Sequence, residues 1–306
     1  MPSALTRFRE SFFFYSFLRD PVAIGSFTVL VILVLAGFLA PVLAPTNPYD
    51  TATIDVLNSE MPPVWIEGGD QAFPLGTDAQ GRDMLSTILY GTRVSVIIGL
   101  GAVALQAFIG IMIGLYAGYA GGKFDAILMR IADVQLSFST YMVAIFLGAI
   151  FQATFGVGRY EQVAVPFLIL VIGLAEWPQY ARTVRASVLR EKKKEYVEAS
   201  KIIGLPNRRI RWRHILPNTL TPVLVISTVQ VANAIMSEAA LSFIGLGMPI
   251  TKPSLGSLIK SGFEYIFSGS WWITLFPGIV LVGLILAINL LGDWMRDFLN
   301  PKLYKK

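Results

Sequence analysis

Few side chains in this sequence can do chemistry, and what they rule out is as informative as what they allow. There is no cysteine and a single histidine, His214. No disulfide, thiol nucleophile or cysteine-containing zinc site can be built, and a zinc site made of several histidines is excluded too. A nucleotide-binding loop needs Gly-Lys followed by Ser or Thr; the only Gly-Lys pair, Gly122-Lys123, is followed by Phe124. What remains are polar groups set in apolar surroundings: Arg130, Asp133, Glu176 and Glu238, with the amides Asn233 and Asn289. A charge at the centre of a bilayer costs about 2.5–3.5 kcal/mol on insertion scales, so each needs a reason. Arg130 and Asp133, three apart on one helix face, are placed to pair with each other. Glu176 is expected to pair with Arg182, and Asn289 reads as an interhelical hydrogen-bonding residue. No paired aspartates or Ser–His couple suited to intramembrane hydrolysis stand out. No catalytic residue is expected.

The elements that position these groups follow from composition. The 306 residues are 54% hydrophobic and 15% charged, with a mean hydropathy of +0.61. A soluble domain carries roughly 25% charge, so the solvent of this chain is largely lipid. A spanning helix needs about 20 apolar residues, and six segments qualify: Val22–Leu43, Val94–Tyr119, Phe124–Phe151, Val163–Ala181, Thr219–Leu246 and Trp272–Leu291. The third crosses the hydrocarbon over Val134–Phe151, leaving Arg130 and Asp133 near the interface. Gly99, Gly101, Gly110 and Gly114 in the second suit close helix approach, and Trp271 and Trp294 flank the sixth as interfacial anchors. The charged lead before Val22 and the length of its apolar run argue against a cleaved signal peptide.

Basic residues orient the bundle. Arg182–Arg213 holds eleven of the 25 basic residues. Arg7, Arg9 and Arg19 lie in the lead, and Arg296, Lys302, Lys305 and Lys306 in the tail. With six spans all three regions fall on one side, the cytoplasm, as do both termini. The loop Ala44–Asp83 lies opposite, with acidic residues against the single Arg82. The fold expected is all-α and polytopic: a cytoplasmic lead (1–21), a first transmembrane helix (22–43) and an extracytoplasmic loop (44–93). A five-helix core (94–291) follows, interrupted by a cytoplasmic loop (182–217), and then a cytoplasmic tail (292–306).

That cytoplasmic loop has a helix–break–helix grammar. Strong helix formers run from Glu191 to Ile203, Gly204 sits where a left-handed residue ends a helix, and Pro206 blocks continuation. Asn207 is placed to cap a second short helix through Arg213, ended by Pro217. Tyr196, Ala199, Ile202 and Ile203 form an apolar stripe that something must bury. On the residues alone, an interfacial helix on anionic lipid, a solvated loop and a protein-docking helix all fit.

Glu198-Ala199-Ser200, then Gly204, then Ile215-Leu216-Pro217 resembles the EAA loop of binding-protein-dependent ABC permeases. Ser200 stands where the pattern has its second alanine, and His214 where it has isoleucine. Leu75–Gly91 (LGTDAQGRDMLSTILYG) resembles the LGTD-x-x-GRD-x-LS motif of the dipeptide, oligopeptide and nickel branch. Its physical reading is a glycine-rich turn with Asp83 capping a short helix from Met84. Pro62–Gly69, Glu238–Gly247 and Asn289–Asp293 are similar to the same branch, so the likeness runs from Arg19 to Lys302. Two positions depart. Ser139 replaces a usual proline, which implies a softer kink, and Leu255-Gly256 replaces Trp-Gly.

The resemblance implies the type I ABC importer permease fold in the bacterial inner (cytoplasmic) membrane, and a non-catalytic subunit carrying dipeptides or oligopeptides. Nickel, glutathione or haem are the alternative cargoes. It implies a second homologous permease, two ABC subunits that hold ATP and magnesium, and a periplasmic substrate-binding protein; no cofactor is bound by this chain, and no nucleic acid. The Arg190–Pro217 hairpin would seat on the ATPase through Glu198, Ala199, Ser200, Gly204, Leu205 and Pro206. As polar groups inside the membrane, Glu238 and Asn233 are the candidates for the substrate path, and Asn233, like Asn289, also reads as an interhelical hydrogen-bonding residue. Glu238 then has two readings: it meets a peptide amino group in a central passage, or it pairs structurally with a neighbouring helix or the partner. An ion-coupled secondary transporter is the rival class, but no inverted repeat is evident.

Overall fold

The computed structural model describes residues 12–50 and 54–299, with side chains from Tyr15 onward. Arg7, Arg9, Lys302, Lys305 and Lys306, used for orientation, lie outside the described residues. Among the described residues there are helices and no strands. In chain order the helices are α1 (Phe12–Arg19), α2 (Pro21–Phe38), α3 (Ala40–Leu43), α4 (Met84–Ala120), α5 (Gly122–Leu136) and α6 (Thr140–Phe155). There follow α7 (Val157–Glu191), α8 (Glu195–Ile202), α9 (Leu216–Ile244), α10 (Leu255–Tyr265) and α11 (Trp272–Phe298). Five helices are long and apolar enough to cross a membrane, and α5 with α6 make a sixth if taken as one bent span.

Each boundary has a local cause. Asp20 caps α2, accepting from the amides of Val22 and Ala23, and Pro21 supplies a first-turn residue with no N–H to leave unsatisfied. The first span ends at Phe38, short of the expected Leu43, where Leu39 breaks it before the turn containing Pro41. Asp83 caps α4 as the sequence predicts, accepting from the Ser86 amide at 2.8 Å. That helix is not short: it runs unbroken through the second span. The last span likewise continues to Phe298, beyond Leu291. Within the third span α5 and α6 meet at 83° across Ser137–Ser139. With serine at position 139 in place of the usual proline, the break is sharp. Ser137 Oγ donates to the Asp133 carbonyl, and the peptide at Ser139 is extended.

The core is built on α4 against α7. A methyl added at Gly110, Gly114 or Gly118 would collide with Tyr180, the Ala181 carbonyl or Val188 respectively, so the two backbones touch along one edge of α4. Gly99 and Gly101 likewise admit Ile235 of α9 and Ile169 of α7. Around this seam pack Ile98, Leu115, Leu168, Ile172, Tyr180 and Val184, all buried. A second cluster near the outer face joins Met84, Ile88, Leu255, Leu258 and Ile273. Leu255, the departure from Trp-Gly, is thus a core residue, held where the Ser254–Ser257 capping box starts α10.

Candidate functional site

At the cytoplasmic end of the bundle, α7 stops at Glu191, three residues of turn follow, and α8 begins at Glu195. The expected single helix over Glu191–Ile203 is therefore divided. Lys192 turns its Nζ onto the Tyr119 carbonyl at 2.5 Å, and Lys194 pairs with Glu191 at 2.7 Å. These contacts hold the three-lysine turn against the end of α4. The far end of α8 follows the sequence reading. Gly204 is left-handed at φ +82°, its amide donates to the Lys201 carbonyl at 3.0 Å, and the Leu205 amide donates to the Ser200 carbonyl at 3.1 Å. This double closure is the Schellman arrangement, and Pro206 follows it.

The second helix of the hairpin departs from expectation. Asn207 does not cap it; its Oδ1 accepts from the Tyr119 hydroxyl at 2.6 Å. Nor does Pro217 end it: a turn at Asn207–Arg209 passes through a π segment, Ile210–Ile215, directly into α9. Pro217 falls in the first turn of α9, where the missing N–H is harmless. The wide π turn relieves the ring clash with the preceding carbonyls.

On α8 the inward side chains are Val197 and Ser200. Ser200 Oγ donates to its own helix at the Tyr196 carbonyl, 2.7 Å away. Tyr196 is half-buried, and its hydroxyl donates to Glu191 at 2.7 Å. Burial first, and the Glu191 carboxylate second, push its ionisation up. The rest of the predicted stripe is bare: Ala199 is exposed, and Ile202 and Ile203 are 87% and 76% exposed. Glu198 and Gly204 share that surface, with half-buried Leu205 and exposed Pro206 beside them. A groove of about 610 Å³, lined by Pro206, Arg208, Arg209, Trp212 and Arg213, adjoins it. His214 is half-buried and contributes its carbonyl to Tyr196 and Asn218.

At the outer end, the glycine-rich motif folds onto itself. Asp78 accepts from the amides of Gln80 and Arg82 at 2.9 Å and from Arg82 Nε at 2.6 Å. Arg82 Nη1 reaches across to the Ile250 carbonyl at 2.8 Å, and Trp272 Nε1 donates to the Thr77 carbonyl at 3.1 Å. The motif ties the first loop to the outer ends of α9 and α11.

Within the bundle the expected charge pairs are rearranged. Asp133 pairs with Arg182 at 2.6 Å, not with Arg130, because the bend after α5 brings its face to α7. Asp125, which the sequence reading did not single out, takes Arg185 through two bonds of 2.5 and 2.6 Å. Glu238 is 0% exposed, and its oxygens accept from Ser95 of α4 at 2.8 Å and Ser242 at 2.7 Å. These bonds join α9 to α4 within this chain. Glu176, freed of Arg182, accepts from Thr140 of α6 at 3.1 Å and Gln230 of α9 at 3.3 Å, and Asn233 donates to Gln230 at 2.8 Å. Gln230 escaped the sequence reading because an isolated amide in an apolar run carries no periodic signal.

A bundle of membrane-spanning helices from which one basic hairpin projects, with Ile202 and Ile203 exposed, has the build of a membrane transport subunit. The family described as binding-protein-dependent transport system inner membrane component matches residues 110–305, and the N-terminal TM domain of oligopeptide transport permease C matches residues 11–63. The chain belongs to this family of ABC-transporter permeases, which are inner-membrane proteins. It is 36% identical to the dipeptide transport system permease protein DppC of Haemophilus influenzae, covering 96% of this chain and 95% of that one. It is 35% identical to the di/tripeptide transport system permease protein DppC of Pseudomonas aeruginosa, covering 95% and 91%. Among solved structures, the inward-facing MetNI methionine ABC transporter matches in fold. The TM-score is 0.54 at 20% identity, over 71% of this chain and 98% of that one.

Proposed function

We propose that this chain carries dipeptides or oligopeptides inward as one of two homologous permease subunits. Two ATP-binding subunits bind and hydrolyse ATP with magnesium, and an extracytoplasmic binding protein delivers the solute. The peptide class rests on the relatives whose names specify dipeptide or di/tripeptide transport, alike over nearly the whole chain. The observation that carries the coupling role is the bare apolar end of α8, Ile202 and Ile203, beside Glu198 and the left-handed Gly204. Large apolar side chains this exposed in a cytosolic helix call for a partner surface. Ala199, Leu205 and Pro206 complete the contact, while Ser200 supports α8 from within. Closure of the ATPases pushes this hairpin, and the attached spans move as rigid bodies.

The test is uptake of labelled dipeptide and ATP hydrolysis by the assembled transporter in proteoliposomes. Glu198→Arg reverses an exposed charge without disturbing packing, and Gly204→Pro forbids the left-handed turn. Both are expected to abolish ATP hydrolysis stimulated by loaded binding protein while the permease still reaches the membrane. Unchanged ATP turnover in both variants would show the hairpin is not the link.

A further inference from the structure

Within the bundle three helices converge on a carboxylate that no lysine or arginine neutralises among the described residues. Gln230, its donor from α9, lies fourteen residues from each end of that helix, which is about 21 Å along the axis either way. Glu176 is half-buried, and no lysine or arginine forms an ion pair with it among the described residues. Its two oxygens accept from Thr140 and Gln230, both neutral, and Asn233 fixes the Gln230 amide from behind. Thr140 is the first residue of α6 beyond the 83° elbow, so the carboxylate is bonded at the bend between α5 and α6.

A strut between helices needs no net charge here, because a glutamine would keep both contacts, accepting from Gln230 and donating to the Thr140 hydroxyl. A carboxylate offers about four acceptor positions, and two remain open. Leaving a charge so thinly satisfied in a low-dielectric setting is costly unless something else completes it. Glu238 is the contrast: sealed among serines, it has no surface for a solute.

We propose that Glu176, presented by Thr140, Gln230 and Asn233, is a subsite within the bundle for the ammonium group of the translocated solute. The inference rests on the peptide reading above, since a peptide N-terminus is a cation with three N–H donors that match the open acceptor positions. Asn233 thereby keeps its place on the substrate path, two hydrogen bonds behind the charge through Gln230.

The test compares wild type, Glu176→Gln and Glu176→Asp in the complete transporter in proteoliposomes. Accumulated labelled dipeptide and ATP hydrolysed with loaded binding protein are measured on the same vesicles. Loss of one charge-assisted hydrogen bond lowers uptake by about tenfold in Glu176→Gln, with ATP turnover within about twofold of wild type. Glu176→Asp recovers most of the uptake. If Glu176→Gln leaves uptake unchanged, or lowers uptake and ATP turnover together, Glu176 is only a strut and the subsite is overturned. If the wild-type complex imports no dipeptide, the peptide reading falls first and takes the subsite with it.

Discussion

The two motifs at opposite ends of the bundle use their side chains in opposite ways. In the outer one, Asp78 and Arg82 are buried and bonded to each other, to Gln80 and to the Ile250 carbonyl. In the cytoplasmic one the backbone closes on itself through the turn at Gly204, yet Ile202 and Ile203 touch nothing that covers them. A motif whose buried ion pair is bonded within the chain is a clamp. A motif that fixes its backbone firmly and leaves its apolar side chains in water is shaped for something outside. Sequence resemblance to a family flags both equally; only burial separates them.

That contrast can be broken most directly at the clamp. Asp78→Ala strands the Arg82 guanidinium in a buried setting, and removing one partner of such a pair costs about 3–5 kcal/mol. Thermal unfolding of the detergent-solubilised complex should show the loss. A midpoint unchanged from wild type would mean that Arg82 is solvated and the outer motif is not a clamp. Next in size, Ile202→Ser combined with Ile203→Ser should leave stability within about 0.5 kcal/mol, as exposed positions do. The same pair should reduce ATP hydrolysis stimulated by loaded binding protein by about tenfold or more, since each isoleucine is worth roughly 1.5–3 kcal/mol when buried on a partner. A loss of stability without loss of ATPase stimulation would reverse the assignment of the two ends. Smallest is Ser200→Ala, which restores the family pattern. Its hydroxyl bonds only to its own helix, so unfolding and transport should both stay within about 1 kcal/mol of wild type. A larger effect would place Ser200 on the docking surface after all.

The bundle itself was legible because lipid imposes a length and an apolarity that hydropathy reads directly, and the basic blocks gave its orientation. Gly204 and Asp83 were legible because a left-handed cap and an N-cap are local events. What failed depended on neighbours distant in the chain. Lys192–Lys194 read as helix, but Tyr119 and Glu191 anchor that turn. Pro217 read as a stop, but the preceding π segment lets the backbone run past it. The charge pairs failed for the same reason. Arg182 was assigned to Glu176 on chain proximity, whereas the elbow after α5 delivers Asp133 to it and leaves Glu176 to two neutral donors. The sharpness of the break at Ser139 was not legible, because a helix break needs only an extended peptide, which serine also adopts.

The row of glycines on α4 has a further consequence. With Gly110, Gly114 and Gly118 sunk against Tyr180, Ala181 and Val188, neither backbone can slide past the other without collision, so α4 and α7 form one stiff beam. The turn at Lys192–Lys194 is bolted to the inner tip of that beam through the Tyr119 carbonyl. Force applied there turns the beam as a whole, and its outer tip, about 50 Å distant for 35 residues of helix, must swing in step.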